Sequence, residues 1–511
     1  MTPIDHTSPI PIYHQLKGLI KDQVKEGSLR PGDRVPTERE LCQTHRISRS
    51  PVRQALNELA HEGLVVRKPG LGTFITNQVD QHVSAESVVR TMCSDPRWSA
   101  ALDHISKVWN AEHGAHKIAF DIEVVLHARL YDHLRAAVGS GTAPDLAMVD
   151  SVWVAGLADA GFLYALGDLG SPWTRTDFAE DRYPAFIEAN SLGERLYGVP
   201  VKADASVLWY RRDWFAEEGL TPPADWRDLR RVSAHFLQTS VQRRYGLTYP
   251  LAFPGGAAGG EATVYTLMPF IWSAGGEIFD ASMTHVTLNS PHTHAALTYL
   301  RDLVHLHQVS SPDVIGYGHA TSAKLFAEGK VAMALGGSYE AETIQFASCW
   351  DDEAFHQRVG AVAPPAPREG EPVSTIGGTS YVILRQSQHP TLLSDLLKVA
   401  TDPRVIGDYC RSMSLNLPNP SFNRTLDQDA EPLSARFAKM IASGRARPSI
   451  AEYVKVSHQL QAMFEATLSG DEPINALVQR TAKFISVVTE LPSPATQPQG
   501  TTPSERMGII R

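Results

Sequence analysis

In the stretch HRISRSPVRQAL, residues 45–56, Arg49 and Arg53 stand four residues apart, with Ser48 and Ser50 beside the first. On a helix that spacing puts both guanidinium groups on one face. Guanidinium neutralises phosphate or reads guanine through two parallel hydrogen bonds, so the pair is suited to DNA. The N–H groups at the start of such a helix offer a further seat for phosphate.

Other chemistries leave little trace. Cys42, Cys93, Cys349 and Cys410 lack C-x-x-C spacing and read as isolated reduced thiols. His292 with His294, and His305 with His307, are two apart, which does not share a helix face. The glycine-rich FPGGAAGGE (253–261) lacks G-K-[ST] and reads as a flexible loop near a cleft mouth, not a phosphate loop. No Ser-His-Asp order and no paired carboxylates stand out. No catalytic residue, metal or cofactor is expected, and the chain is not expected to be an enzyme.

At 511 residues the chain exceeds one ordinary core. No apolar run approaches the roughly 18 residues of a membrane span. The opening MTPIDHTSPIPIYHQ has neither the basic nor the apolar region of an export signal, so a cytoplasmic protein without a membrane partner is expected. Net charge is −9, unevenly spread: residues 1–76 hold 11 Lys+Arg against 8 Asp+Glu, leaving 36 against 48 in the remainder. A mildly basic head on an acidic body fits a head that meets polyanions.

The elements that position the arginines follow from the pattern. Ile12, Leu16, Leu19, Ile20 and Val24 line one face of a first helix, closed by Gly27. RPGDRVP is a turn. Thr37 and Glu40 form a capping box for a second helix. Ser48 can cap a third, with Pro51 in its first turn, where a missing N–H costs little. Val52, Leu56 and Leu59 supply the buried face of that helix, Gly63 ends it, and LVVRKPGLGTFIT reads as two strands around a Pro-Gly turn. The sum is a winged helix-turn-helix. In PIYHQLK, GSLRPGDRVPTERELC, ISRSPVRQALNELAHEGLV and GLGTFIT the segment resembles the GntR family of bacterial transcription regulators. That resemblance implies operator DNA as partner and Arg39, Arg49, Arg53 and the wing glycine Gly70 as contacts, with Ser48 and Ser50 in the DNA-facing set. Pro51 stands where the family often carries Thr, which removes a hydroxyl from the phosphate side.

Residues 77–85 read as a linker. Beyond them SVVRTMC, KIAFDIEVV and PDLAMVD read as strands, and RWSAALDHISKVWNAEHG and ARLYDHLRAAVGSG as helices. Such alternation predicts parallel sheets covered by helices, with ligands outside the carboxyl ends of the strands, in the loops after Met92, Asp150 and Val201. GTAPDLAMVDSVWVAGLADAGFLYALGDL, LYGVPVKADASVLWYRRDWFAEEGLTPPADWRDL, IWSAGGEIFD, LNSPHTHAALTYLRDLV, FAEGKVAMALGGSYE, VGAVAPPAP and IGGTSYVI stand in the order of the family 1 solute-binding proteins of carbohydrate importers, which this body resembles.

The resemblance implies a two-lobed α/β periplasmic-binding-protein-like (type II) domain over 84–490. Lobe 1 would lie near 84–202 and 373–425, and lobe 2 near 207–370 with the C-terminal helices. VKADAS falls in the first crossing segment. By the family's pattern Asp204 takes a sugar-hydroxyl position and Tyr265 and Tyr339 take stacking positions. Trp153 sits in the first-lobe loop, with Ser151, Lys202, Glu340 and Thr379 beside the same loops. Aromatic faces and carboxylates are what a sugar requires. Residues 491–511, rich in Pro, Ser and Thr, read as at least partly disordered. The expected function is a dimeric regulator sensing a small ligand, a sugar or oligosaccharide. The alternatives are a solute-binding protein without regulatory role and a pyridoxal-phosphate aminotransferase-like regulator, whose lysine loop is not found.

Overall fold

The structure, a computed structural model, describes residues 4, 12–25, 27–30, 32–45, 47–61, 64–68, 72–76, 87–114, 116–169, 178–426 and 432–493. Gly63, Gly70, the linker at 77–85 and the tail beyond 493 lie outside the described residues. Two compact units divide the chain, Met1–His133 and Leu134–Arg511.

The first unit begins with α1 (Ile12–Lys25), α2 (Glu38–His45) and α3 (Arg49–His61), followed by β1 (Val65–Lys68) antiparallel to β2 (Gly72–Ile75). Leu16 and Ile20 of α1, Leu41 of α2 and Val52, Leu56 and Leu59 of α3 meet Val65 and Ile75 in one core. Each apolar stripe recurs at three- and four-residue spacing, so each helix has one face to bury and these faces can only be buried together. The capping box forms in full. Thr37 N–H donates to Glu40 Oε2 at 2.7 Å, and Glu40 N–H donates to Thr37 Oγ1 at 3.3 Å. This unit continues with β3 (Ser87–Cys93), α4 (Trp98–Glu112) and β4 (Ile118–Val124), β3 lying parallel to β4. Trp98, Leu102, Ile105 and Trp109 form the buried stripe of α4.

The second unit contains two larger sheets. In chain order its strands and the helices used below are β5 (Leu146–Asp150), β6 (Gly198–Pro200), β7 (Asp204–Arg211), β8 (Leu251–Ala252), α5 (Glu261–Ser273), β9 (Met333–Gly337), β10 (Val359–Val362), β11 (Thr375–Gly377), β12 (Thr379–Ile383), α6 (Leu433–Ser443), β13 (Arg445–Ala446) and α7 (Tyr453–Ser469). The larger sheet runs β8-β9-β7-β11-β13, with β10 also on β7. Strand β7 is buried along its whole length. Leu208 and Tyr210 enter the core shared with α5 and α7, whereas Ala205, Val207 and Trp209 enter the core shared with α6. Alternation of period two thus feeds a core on each face of the sheet.

In the other sheet β12 pairs antiparallel with both β5 and β6. The parallel sheets expected from β-α alternation are therefore only part of the fold: β3–β4, β8–β9 and β11–β13 are parallel, while the pairs made by β7 and β12 on their other neighbours are antiparallel. The reason is that β7 and β12 each enter their sheet directly from the other one. The chain passes from β6 to β7 through residues 201–203, and from β11 to β12 through Gly378 alone.

The glycine-rich 253–261 segment allows close approach of its neighbours. A side chain at Gly256 would lie 2.4 Å from Ile315 O, and Ala257 N–H donates to Glu465 Oε2 at 2.7 Å. Of the histidine pairs, His294 contacts Asn289 Oδ1 at 3.0 Å, a local bond, and His305 Nε2 contacts Leu468 O at 2.7 Å, which ties two distant helices together.

Gly378 carries a sharp local constraint on the backbone. Its φ is +149°, and a Cβ there would stand 1.9 Å from the carbonyl oxygen of Lys202 on the neighbouring passage. Gly378→Ala is therefore expected to cost about 2–3 kcal/mol of stability, through strained backbone and the displaced passage. Urea unfolding followed by tryptophan fluorescence measures it; a loss below about 0.5 kcal/mol would show that the two passages move apart freely.

Candidate DNA interface and ligand-binding cleft

On the head, α3 begins at Arg49, so Arg49 and Arg53 lie one turn apart, both exposed, and Arg39 is exposed on α2. Ser48 precedes the helix and is exposed. Ser50 stands at the second helical position and Gly70 lies outside the described residues. Arg53 is engaged: its Nε donates to Glu38 Oε2 at 2.9 Å. With Arg53 62% exposed and Glu38 34%, that pair is weak and phosphate can displace it. A fourth cation was missed in the sequence. Arg34 bridges to Phe74 on the wing, and its Nε would lie 2.8 Å from a Cβ at Gly72. Only glycine at 72 lets this guanidinium lie across the wing.

In the second unit, four of the predicted ligand residues converge. Asp204 opens β7, and its carboxylate accepts from Ser338 Oγ at 3.2 Å while that same hydroxyl accepts from Ala205 N–H at 3.1 Å. Tyr265, on α5, faces Tyr339 with ring centroids 5.9 Å apart and planes at 54°. Tyr339 follows β9, and His319 stacks on it at 5.2 Å and 7°. Burial raises both phenols well above their ordinary value, with Asp204 reinforcing the effect at Tyr265 and Glu340 at Tyr339. Both therefore stay protonated and able to donate. Glu340 is buried beside them and accepts from Gly337 N–H and from the Trp209 indole N–H, each at 3.2 Å.

The remaining predicted positions surround the passages. Ser151 N–H donates to Gly378 O at 3.0 Å, and Lys202 N–H to Thr379 O at 3.3 Å. Thr379 stands opposite Asp150 in the β5–β12 pair. Trp153 lies in the turn after β5, only 6% exposed.

The group that joins these parts was not foreseen. Arg447, just past β13, has a side chain 2% exposed. Its guanidinium donates to Glu261 at 2.7 Å and to Asp150 at 3.4 Å, and it lies over the Tyr265 ring at 5.0 Å. Glu261, the first residue of α5, also accepts from Tyr453 Oη at 3.0 Å and from Ser457 Oγ. Asp150 belongs to the β5–β12–β6 sheet and Glu261 to a helix packed on the other sheet, so one cation connects both. The Arg447–Asp150 pair spans 297 positions of sequence, and no periodicity could have signalled it. Three buried polar atoms here, Arg447 Nε and the Tyr265 and Thr379 hydroxyls, have no hydrogen-bond partner among the described residues. In native proteins such atoms are uncommon and call for an explanation.

A cavity of about 640 Å³ adjoins this cluster, with Ala185 and Glu188 on one side, Trp272 and Glu277 on the other, and Arg445 and Arg447 in its lining. Arg445 binds Glu277 through two bonds of 2.8 Å and lies 4.8 Å over Trp272. None of the residues predicted from sequence lines it. A smaller cleft runs from Ser151 and Gly377 to Arg447, so Arg447 borders both.

Comparison with known proteins matches residues 99–405 to the family described as bacterial extracellular solute-binding protein, and residues 12–75 to bacterial regulatory proteins, gntR family. A Brucella abortus (strain 2308) protein, named for binding without a stated ligand, is 25% identical over 286 residues, 56% of this chain and 64% of its own length. The HTH-type transcriptional repressor NagR of Bacillus subtilis (strain 168) is 48% identical over 73 residues, 14% of this chain and 30% of its own. The chain thus spans less than two thirds of either relative. An ABC transporter solute-binding protein of Thermotoga lettingae TMO, solved with α-D-tagatose, superposes with a TM-score of 0.68 at 22% identity, covering 79% of this chain and 99% of that one. This is a likeness of fold: a two-lobed solute-binding domain, carried here behind a winged helix-turn-helix head.

Glu340 supplies a pH test. Burial is the main cause that pushes its carboxyl from an ordinary 4.5 to about 8, opposed in part by the bonds from Gly337 and Trp209. A raised carboxyl favours the protonated folded state, so its contribution is complete below 4.5 and is lost as pH climbs through about 8. Glu340→Gln keeps an acceptor for both donors and cannot ionise. Its stability relative to the parent is expected to rise by at least about 1 kcal/mol between about pH 5 and about pH 8.5, read by chemical unfolding. A difference constant with pH would place an ionised carboxylate there.

Proposed function

We propose, starting from a chain that belongs to the bacterial extracellular solute-binding protein family over residues 99–405 and carries a gntR-family domain at residues 12–75, that the protein is a one-component transcription regulator. Its solute-binding domain senses a small ligand, a sugar or oligosaccharide, and its head binds operator DNA. The observation that carries the ligand half is the convergence of Asp204, Tyr265, Tyr339 and Arg447 from distant segments around buried polar atoms that have no partner among the described residues. Aromatic faces beside carboxylates suit a ring with an apolar face and a hydroxyl rim.

The mechanism follows from the fold. Residues 201–203 and Gly378 are short passages between two sheets, so the sheets can rotate about them as bodies. A ligand that touches groups on both sheets binds best when they are together and shifts the population that way. In a cytoplasmic homodimer, two heads must match half-sites about one helical turn apart, and a change in the bodies alters that match. Ligand and operator affinities are then coupled in both directions.

Operator binding by fluorescence anisotropy, with and without a panel of sugars, tests this. Arg49→Ala with Arg53→Ala should weaken operator binding about a hundredfold or more, each arginine accounting for at least about 1–3 kcal/mol, with the melting temperature of the chain retained. An active sugar at a hundred times its dissociation constant should add about 2.7 kcal/mol of stability to the ligand domain. Operator affinity indifferent to every sugar that stabilises the protein would refute the coupling.

A further inference from the structure

The three arginines of the head are not held alike. Arg39 and Arg49 are exposed and make no side-chain hydrogen bond or ion pair among the described residues. Arg53 is held. Its Nε donates to Glu38 Oε2 at 2.9 Å, while its two terminal nitrogens have no partner among the described residues, on a side chain 62% exposed. Other carboxylates of this chain grip a guanidinium differently. Glu277 takes both terminal nitrogens of Arg445, and Asp213 takes Nε and one terminal nitrogen of Arg211. The place of Glu38 is set by local structure. It is the first residue of α2, whose start is locked by the Thr37–Glu40 capping box. Three residues on, Leu41 enters the same core as Val52 and Leu56 of α3, the neighbours of Arg53 on its helix.

This grip decides what Arg53 can bind. A guanidinium is planar, with its N–H groups in fixed directions. Holding Nε leaves the terminal nitrogens as a fork, the arrangement that takes guanine O6 and N7 together. Guanine is uncharged and can fill the fork without disturbing Glu38. Phosphate meets the opposite situation. It must either displace the carboxylate or sit beside it, and a like charge so close opposes both. We infer that Glu38 is a positioning residue for DNA recognition, holding Arg53 as a reader of guanine and turning it away from phosphate. This rests on the operator-binding reading above and deepens it. Arg39 and Arg49, without such a carboxylate, remain open to phosphate and base alike. As an exposed pair, Glu38 and Arg53 add little to the stability of the head. Their contact instead orders a long side chain before DNA arrives, so less freedom is lost on binding.

Enrichment of duplexes from a randomised library by the full chain, read by sequencing, gives the base preference at each position. Fluorescence anisotropy then measures affinity for the selected site and its single-base variants. Arg53→Ala should flatten the preference at one G·C position by at least about fivefold and leave the slope of log affinity against log salt unchanged, whereas loss of a phosphate contact would lower that slope by about 0.9. Glu38→Ala should flatten the same position by at least about fivefold and tighten binding to an unselected duplex about twofold, since a charge that repels the backbone is gone. Glu38→Gln keeps an acceptor for Nε and should recover most of the preference. A general loosening of α2 would instead weaken every position together and lower the melting temperature. The proposal is overturned if Glu38→Ala retains the preference at the position that Arg53 reads, if it loses all positions equally, or if Arg53→Ala lowers the salt slope by about one. Enrichment of no sequence by the parent chain overturns the operator-binding reading itself, and the role of Glu38 with it.

Discussion

The close passage of two backbone segments, Gly378 against Lys202, is the constraint on which the second unit depends. The chain must leave β11, turn and enter β12 in one residue, while residues 201–203 carry the other passage alongside. Val201 and Lys202 both donate backbone N–H groups to Thr379 O, at 3.0 and 3.3 Å, and Ser151 N–H bonds Gly378 O. These bonds leave no room for a side chain at 378. They tie the end of β5, the start of β7 and the start of β12 together at one place. Asp150, Asp204 and Thr379 therefore come to the passage as a consequence of backbone pairing, before any side chain is chosen for ligand chemistry.

Charge at that place is held by pairing. An isolated guanidinium with a side chain 2% exposed would be prohibitively unfavourable, and the carboxylates beside it, Asp150 on β5 and Glu261 on α5, make it tolerable. Such a triad does not by itself add much net stability, since desolvation consumes most of the attraction. What it supplies is geometry. Arg447 can satisfy Asp150 and Glu261 together only when the two sheets stand at one separation, which gives the closed arrangement a definite reference. Glu340 meets the same burial differently: held by the hydrogen bonds from Gly337 and Trp209, it is pushed toward the neutral form by burial.

The head was nearly complete in the sequence, because its structure is local. Helix faces, the Thr37–Glu40 box and the hairpin all depend on residues within a few positions of one another, and each formed as the spacing implied. The strands at 87–93, 118–124 and 146–150 were legible for the same reason. Strand direction was not, because it is decided by where the chain crosses between sheets, which no local pattern encodes. The same limit explains the site. Tyr265 and Tyr339 were placed through resemblance in ordered motifs, and they do meet. Arg447 belongs to RARPS, a stretch without period, and acquires its meaning only from Asp150 and Glu261. Arg34 was overlooked because Gly72, the residue that makes room for it, is distant in sequence.

Whether a small ligand can control a DNA-binding head is finally a question of magnitude. Allosteric coupling typically needs about 1–3 kcal/mol, and moving an equilibrium from one extreme to the other needs about 5.5. Three buried polar atoms without partners among the described residues are a source of the required size. Each one left unsatisfied costs about 1–3 kcal/mol, and a ligand that reaches all three recovers much of that only in the arrangement that brings both sheets to it. On the proposed reading, ring stacking on Tyr265 and Tyr339 would add binding energy but, since both tyrosines stand on the same sheet's side, would discriminate little between open and closed forms. On the proposed reading the aromatic pair would set how tightly a ligand is held, whereas Arg447 and Thr379 would set how strongly its binding is felt elsewhere.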